Sequence, residues 1–396
     1  MSRKVAITTH LNQINAPLYR ELTRTNDDFH VLSLSEDPQG NEVFDHEMGI
    51  GFAWDIDILQ GYEKTFLPNS RDTVLRPGIR DLQTVATQTR DWIRALRPDA
   101  VMLPSWSPIY ASMIPSLRNS GTSIVFRGTC RVPRKDSVLR RTLKDAAKKQ
   151  FLSRMDAANY IGAQAREELL RLGFPADRLI AAPYGVDNDA LASRLHGASG
   201  LAVRQRVGAT ADSTVFLLVN KLIAKKGLGY IFPAVETAAE LSDIRVVIVG
   251  EGELRKELES EIERRNLART VFLAGFKNQG ELGDYFAAAD AFMLLSDDPS
   301  ETWGLVMNEA MVAGLPVIAS RDAGATSDLI AENLTGFAVD PRHAAELLQA
   351  ILALTDQSIR SEMGNNARKL VSAYGVVPAA MGVNRAFDVA LGRNRQ

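Results

Sequence analysis

The chain has 396 residues, 45% of them hydrophobic and 24% charged, and a formal net charge of −2. That length exceeds one ordinary core and suits two domains, and the composition is that of a soluble globular protein. The single cysteine, Cys130, excludes an internal disulfide framework and fits a reducing cytoplasm.

In chain order, "MSRKVAITTH" lacks the apolar core and small-residue cleavage site of a signal peptide, and no uncharged apolar run anywhere approaches the roughly 18 residues of a membrane span. A cytoplasmic location is therefore expected. In the first half, "KVAITTH", "HVLSLS", "AVMLPS" and "SIVFRG" read as strands, with a helix over Asp81–Leu96. In the second, "TVFLLVN", "IRVVIVG", "TVFLAG", "DAFMLLS" and "PVIAS" repeat the rhythm with helical patterns between them. Strands alternating with helices predict βαβ units and a parallel sheet covered on both faces. Two such series predict two doubly wound domains, 1–190 and 191–376, with a linker in the Gly/Ala/Ser-rich stretch near 187–200. Residues 377–396 are expected to add a C-terminal helix that packs back toward the N-terminal domain.

From Arg131 to Arg154 there are nine basic residues against Asp136 and Asp145, a net of +7. Leu139, Leu143, Ala147 and Phe151 fall on one side of a helix, beside a stripe of Arg140, Lys144 and Lys148. Such a helix can lie on an anionic membrane or be a packed helix with a solvated outer face. Nucleic acid is a poor partner, because aromatics are not interleaved with the cations and the chain is slightly acidic.

In the second half, chemistry is expected just after the strands, since ligands in doubly wound sheets bind outside the carboxyl ends. "KLIAKKG" places Lys221, Lys225 and Lys226 there, which suits a phosphate or diphosphate, or else is a solvated basic turn. "GEGEL" lacks the full dinucleotide-binding fingerprint, which counts against a dehydrogenase. "SETWGLVMNEA" carries Glu301 just ahead of a helix expected to begin near Gly304 and Glu309 about five residues into it. The helix start favours an anion, so Glu301 beside it is better suited to neutral hydroxyls than to the phosphate itself. Glu309 lies about 7 Å along an otherwise apolar helix at 1.5 Å per residue. A vicinal diol such as a ribose would satisfy its two oxygens; a lysine or backbone amide partner is the alternative. The spacing matches a nucleotide sugar: sugar near Glu301, diphosphate at the helix start, ribose at Glu309.

"PSETWGLVMNEAMVAGLPVIAS" closely resembles the Glu-x7-Glu signature of the retaining glycosyltransferases of family 4, α/β proteins of GT-B fold with two Rossmann-like domains and an interdomain cleft. The resemblance extends through "VFLAGFKNQGELGDYFAAADAFMLLSDD", "RDAGATSDLIAENLTGFAVDP" and "VNKLIAKKG", the place of that family's Arg-x4-Lys clamp, and covers about Phe216–Pro341 strongly. It implies a hexosyltransferase taking a nucleotide-diphosphate sugar, with an acceptor-binding first domain, retained anomeric configuration, and neither cofactor nor metal. Glu309 would hold the ribose and Lys226 with Lys221 the diphosphate. Glu301 and the backbone of Trp303, Gly304 and Leu305 would hold the sugar and distal phosphate, and the loop of Gly275, Phe276 and Lys277 would hold the base. The acceptor would be a glycan, lipid-linked or small-molecule acceptor of cell-envelope polysaccharide synthesis. Three departures stand out. Lys221 replaces an arginine; Arg127 stands where many relatives have a histidine; and "THLNQINAPLYREL" replaces a Gly-Gly loop, leaving Asn12 and Asn15 as turn residues or substrate contacts. A nucleotide-sugar 2-epimerase and a non-catalytic nucleotide-sugar-binding protein are the competing readings.

Overall fold

The computed structural model describes residues 2–36, 42–45, 47–53, 57–129, 137–298 and 301–392. In chain order its strands are β1 (Lys4–Thr8), β2 (Phe29–Ser33), β3 (Glu42–Asp45), β4 (Ile50–Ala53), β5 (Glu63–Phe66), β6 (Ala100–Leu103), β7 (Ser123–Arg127), β8 (Ala157–Tyr160), β9 (Leu179–Ala181), β10 (Thr214–Val219), β11 (Ile244–Val249), β12 (Val271–Gly275), β13 (Ala291–Leu294), β14 (Val317–Ser320) and β15 (Gly336–Val339). They fall into two compact units. The first takes the described residues of 2–36, 57–185 and 375–392, the second those of 42–53 and 186–374.

The first unit holds a parallel sheet in the order β5-β2-β1-β6-β7-β8-β9. Its central strands are apolar at nearly every position because helices cover both faces: all five residues of β1 and all four of β6 are buried. The helix expected over Asp81–Leu96 runs Ile79–Leu96, starting earlier because the Asp81 carboxylate accepts the Gly78 N–H at 2.8 Å. The C-terminal helix, Val376–Ala390, belongs to this unit, where the Asn159 side chain donates to the Gly382 carbonyl at 3.1 Å.

The second unit holds a parallel sheet in the order β12-β11-β10-β13-β14-β15. Counted from β10, this is the 3-2-1-4-5-6 order of a Rossmann sheet, and the strand order reverses between β10 and β13. β10 and β11 run in register from Thr214↔Ile244 to Val219↔Val249. Phe216, Leu218, Val246 and Ile248 from these strands pack with Ile231, Phe232 and Val235 of the covering helix Ile231–Leu241.

Two features depart from the expected division. The boundary falls between 185 and 186, and the stretch read as a linker contains a helix, Asn188–His196, because Asp187 accepts the Ala190 N–H at 3.0 Å and caps it. The antiparallel hairpin β3–β4, expected within the first domain, groups instead with the second unit, through ion pairs from the Asp45 and Glu47 side chains.

Candidate functional site

The reversal of strand order brings the loops after β10 and β13 side by side, which is where "KLIAKKG" and the Glu301 segment lie. The loop after β10 turns through two short 3-10 segments about Gly227, whose φ of 63° is left-handed. A Cβ there would sit 2.2 Å from the Leu295 carbonyl oxygen, so only glycine lets this loop settle on the end of β13. Settled there, Lys226 Nζ donates to the Glu301 carboxylate, which also accepts from Ser296 Oγ at 3.1 Å. Lys226 and Glu301 thus form one ion-paired unit.

The backbone that follows is pinned from behind. The Gly324 N–H donates to the Glu301 carbonyl at 2.9 Å and the Ala325 N–H to the Trp303 carbonyl at 3.0 Å. The Trp303 ring is buried, donates through Nε1 to Asn308 Oδ1 at 2.9 Å, and lies 5.8 Å from the Tyr374 ring. Gly304, at φ 96°, turns the chain into the helix Leu305–Val312. The Met307 N–H closes on the Gly304 carbonyl at 2.9 Å; the N–H groups ahead of it have no carbonyl earlier in the helix to bond, and the helix dipole adds to their attraction for an anion. Met307, Asn308, Ala310, Met311 and Val312 bury the helix, as its apolar sequence requires.

Glu309 is the exception on this helix. It is half-buried, and among the described residues no hydrogen-bond donor reaches its carboxylate. Burial pushes its pKa up to about 7, against the opposing pull of the Arg194 charge. Arg194 sits on the helix Asn188–His196 and donates through Nη1 to Gln279 Oε1 at 3.0 Å, while its buried Nε has no partner among the described residues. The sequence reading passed over Arg194 because it lay in the stretch taken for a linker. Asn220, at the carboxyl end of β10, was also passed over; its buried Nδ2 has no partner among the described residues.

Lys221 and Lys225 face the hairpin. Lys221 Nζ donates to Asp45 Oδ2 at 2.7 Å and to Glu47 Oε2 at 2.8 Å, and Lys225 Nζ to Glu47 Oε1 at 2.9 Å. These two lysines hold the Glu47 carboxyl down to about 2. In the 275–277 loop, Gly275 adopts φ 74°, Phe276 lies 4.9 Å from the Phe52 ring of β4, and Lys277 pairs with Glu281 at 3.4 Å. Between the hairpin turn and the loops at 223–225 and 252–253 lies a cavity of about 550 Å³.

In the first unit, Asn12 and Asn15 follow β1, beside the reversal of strand order between β1 and β6. Asn12 Oδ1 accepts the Ile14 and Asn15 N–H groups at 3.1 and 3.0 Å, which makes it a turn residue; Asn15 precedes the helix Ala16–Thr25 without capping it by side chain. His10, unremarked in the sequence, follows the same strand; burial and the Arg71 charge lower its pKa to about 4, so it is neutral at physiological pH. Arg127 is buried, donates to the Pro183 carbonyl at 3.0 Å and lies 5.2 Å from the Tyr184 ring, with its Nε unpartnered. Burial pulls its pKa below the usual arginine value.

Of the basic segment, 131–136 and Cys130 lie outside the described residues. The helix Val138–Leu152 leaves Val138, Leu139 and Leu143 exposed at 84%, 71% and 62%, next to exposed Arg140, Arg141 and Lys149. Lys148, expected on the cationic stripe, is instead buried, because the last turns of the helix are the ones that pack, through Phe151 and Leu152. Among the described residues no helix is long and apolar enough to cross a membrane.

Residues 202–370 match the family described as glycosyl transferases group 1. An alpha-D-kanosaminyltransferase of Streptomyces kanamyceticus is 30% identical over 223 residues, covering 55% of this chain and 56% of that protein. A GDP-mannose-dependent alpha-(1-6)-phosphatidylinositol monomannoside mannosyltransferase of Mycobacterium tuberculosis is 27% identical over 315 residues, covering 76% of this chain and 77% of that one. The chain spans about half the length of several of the curated relatives it matches. A solved Anabaena protein in complex with UDP is similar in fold, with a TM-score of 0.72 and 17% identity over 98% of this chain and 100% of that one. The architecture is the GT-B fold, with two Rossmann-like units.

Proposed function

We propose that the chain is a retaining glycosyltransferase that moves a hexose from a nucleotide-diphosphate sugar to an acceptor. The observation that carries this reading is the half-buried, unpartnered carboxylate of Glu309, set one helix turn beyond an open helix start and the Lys226–Glu301 pair. A buried carboxylate left without donors is costly unless something supplies them. Two ribose hydroxyls would do so. The diphosphate would then fall on the helix start, Lys226 and Lys221, the sugar hydroxyls on Glu301, and the base against Gly275–Lys277.

Charge grows on the leaving diphosphate as the sugar bond breaks. Preorganised cations and a helix end stabilise that charge more than they stabilise the bound ground state, which is how electrostatic catalysis lowers a barrier. Glu301 fixes the Lys226 ammonium in place beforehand. With the charge met this way, neither a divalent metal nor another cofactor is required. The attack would come from the face the diphosphate leaves, with no protein nucleophile, so configuration is retained. We assign Arg127 a structural part, since Pro183 and Tyr184 already engage it.

The acceptor we favour is a lipid-linked or cell-envelope glycan. The exposed Leu139 and Leu143 beside Arg140 and Arg141 would let this helix rest on an anionic membrane, and the mycobacterial relative's name gives a phosphatidylinositol acceptor. The test of the central reading is a thermal-shift screen with UDP-, GDP- and ADP-sugars. A ligand at about 100 times its dissociation constant stabilises the folded state by about 2.7 kcal/mol. One nucleotide series should raise the melting temperature of the wild type clearly more than that of Glu309→Gln. Equal shifts in both proteins would remove Glu309 from the donor site.

A further inference from the structure

The hairpin β3–β4 reaches the same residues that the proposed donor would use. Asp45 and Glu47 take Lys221, Glu47 also takes Lys225, and Phe52 lies on Phe276 of the loop assigned to the base. Anionic oxygens on the lysines and a flat ring on the 275–277 loop reproduce, in one short element, the chemistry of a nucleoside diphosphate. We propose that this hairpin is a built-in competitor of the donor, which must leave Lys221 before the diphosphate can occupy it; its second contact, Glu47 on Lys225, holds it beside that site. The inference rests on the donor-site reading above.

The hairpin is built to present these groups. Asp45 Oδ1 accepts the Glu47 and Met48 N–H groups at 3.0 and 3.1 Å, and the Gly49 N–H donates to the Asp45 carbonyl at 2.8 Å. The turn is thereby held by one carboxylate oxygen while the other, Oδ2, points at Lys221. Carboxylates and a diphosphate carry the same sign, so the two cannot share one ammonium group without repulsion. The contacts are also partly exposed ion pairs, with the lysine side chains 32% and 39% accessible, and such pairs are worth little individually and are readily exchanged. The open space of about 550 Å³ beside Lys225 gives an anion a route to the lysines before the hairpin has moved.

The test compares wild type, Asp45→Asn/Glu47→Gln and Lys221→Ala, using inorganic pyrophosphate as the probe so that base and sugar identity do not matter. Asparagine keeps an amide oxygen to accept the two turn N–H groups, so the hairpin should stay formed in the double variant. Calorimetry should show pyrophosphate binding at least tenfold tighter in the double variant than in wild type, and weaker in Lys221→Ala. Hydrogen exchange of wild type should show the amides of 42–53 exchanging faster with saturating pyrophosphate than without. Equal or weaker binding in the double variant, with Lys221→Ala still impaired, overturns the competition while leaving the donor site intact. Tighter binding with unchanged exchange also overturns it, since charge alone would then account for the gain. If Lys221→Ala binds as wild type does, the assignment of Lys221 to the diphosphate is itself wrong.

Discussion

Replacing Glu309 with glutamine should weaken donor binding and strengthen the fold at the same time. The group's pKa rises from its ordinary 4.5 to about 7, chiefly through burial. A carboxyl whose folded pKa lies above its unfolded value costs nothing below the unfolded value, where both states carry the proton. The cost grows as pH rises from 4.5 and is complete above about 7, where the folded state must hold an unwelcome charge. At about 1.36 kcal/mol per unit the full cost is about 3.4 kcal/mol, and partial solvent access brings the expected gain of Glu309→Gln to about 1–3 kcal/mol. Urea denaturation of both proteins at pH 8.5 and pH 4 measures it: the variant should be more stable at the higher pH, and the two should converge at the lower. Donor affinity should fall by about 1.5–3 kcal/mol, since hydrogen bonds to a charged acceptor become neutral ones. Because ribose hydroxyls favour the ionised form, wild-type donor binding should also tighten between pH 5.5 and 8, and the variant's should not. A variant that is no more stable than wild type at pH 8.5, or whose advantage persists at pH 4, would refute the account of Glu309 as an ionisable group left unpaired for a ligand.

Lys226→Ala should lower kcat by about 10²–10³ while changing donor dissociation by less than tenfold, because its charge matters most as the diphosphate leaves; equal losses in kcat and affinity, from steady-state kinetics and calorimetry, would contradict that role. The linkage formed should keep the donor's anomeric configuration, read by NMR of the product, and EDTA should leave the rate unchanged. Wild-type protein should sediment with anionic vesicles at low salt and be released as salt rises, since each cation near such a surface contributes about 1 kcal/mol that salt screens. Leu139→Ser/Leu143→Ser and Arg140→Gln/Arg141→Gln should each reduce sedimentation without altering donor affinity, and a wild-type protein that ignores anionic vesicles would reduce the exposed leucines to a bare helix face.

What was legible in the sequence follows from what is local. "TVFLLV" and "IRVVIV" are apolar but for Thr214 and Arg245 because strands buried on both faces need no alternation, so the parallel sheets could be read directly. The strand ends could be read with them, and so could the loops where Lys226 and Glu301 meet. The Asp187 cap is a local signal too: an aspartate ahead of "NDALASRLH" marks the helix start that carries Arg194. The basic helix shows a subtler limit. Its periodicity identifies an apolar side, but whether a neighbour covers that side is decided elsewhere in the chain; Phe151 is covered, Leu139 and Leu143 are not, and Lys148 is buried where the pattern suggested a solvated stripe.

The least legible feature is the contact between the hairpin and Lys221. Asp45 and Lys221 are 176 residues apart, and nothing in "EVFDHEMGIGFA" or "KLIAKKG" marks them as partners. Each stretch alone reads as an ordinary polar turn. Their meeting depends on the fold of the second unit, which lays out cations for an anion and so accepts any anion the chain can deliver. Glu309 shows the converse. That a carboxylate sits within an apolar helix was plain from its neighbours; that no donor serves it is a property of the assembled surroundings. The donor site we propose therefore rests on two three-dimensional features: lysines paired with carboxylates of the same chain, and a carboxylate that no donor reaches among the described residues. The first is a contact that the proposed donor would displace, the second a carboxylate to which its ribose would donate. A nucleoside diphosphate with its ribose has the chemistry to do both.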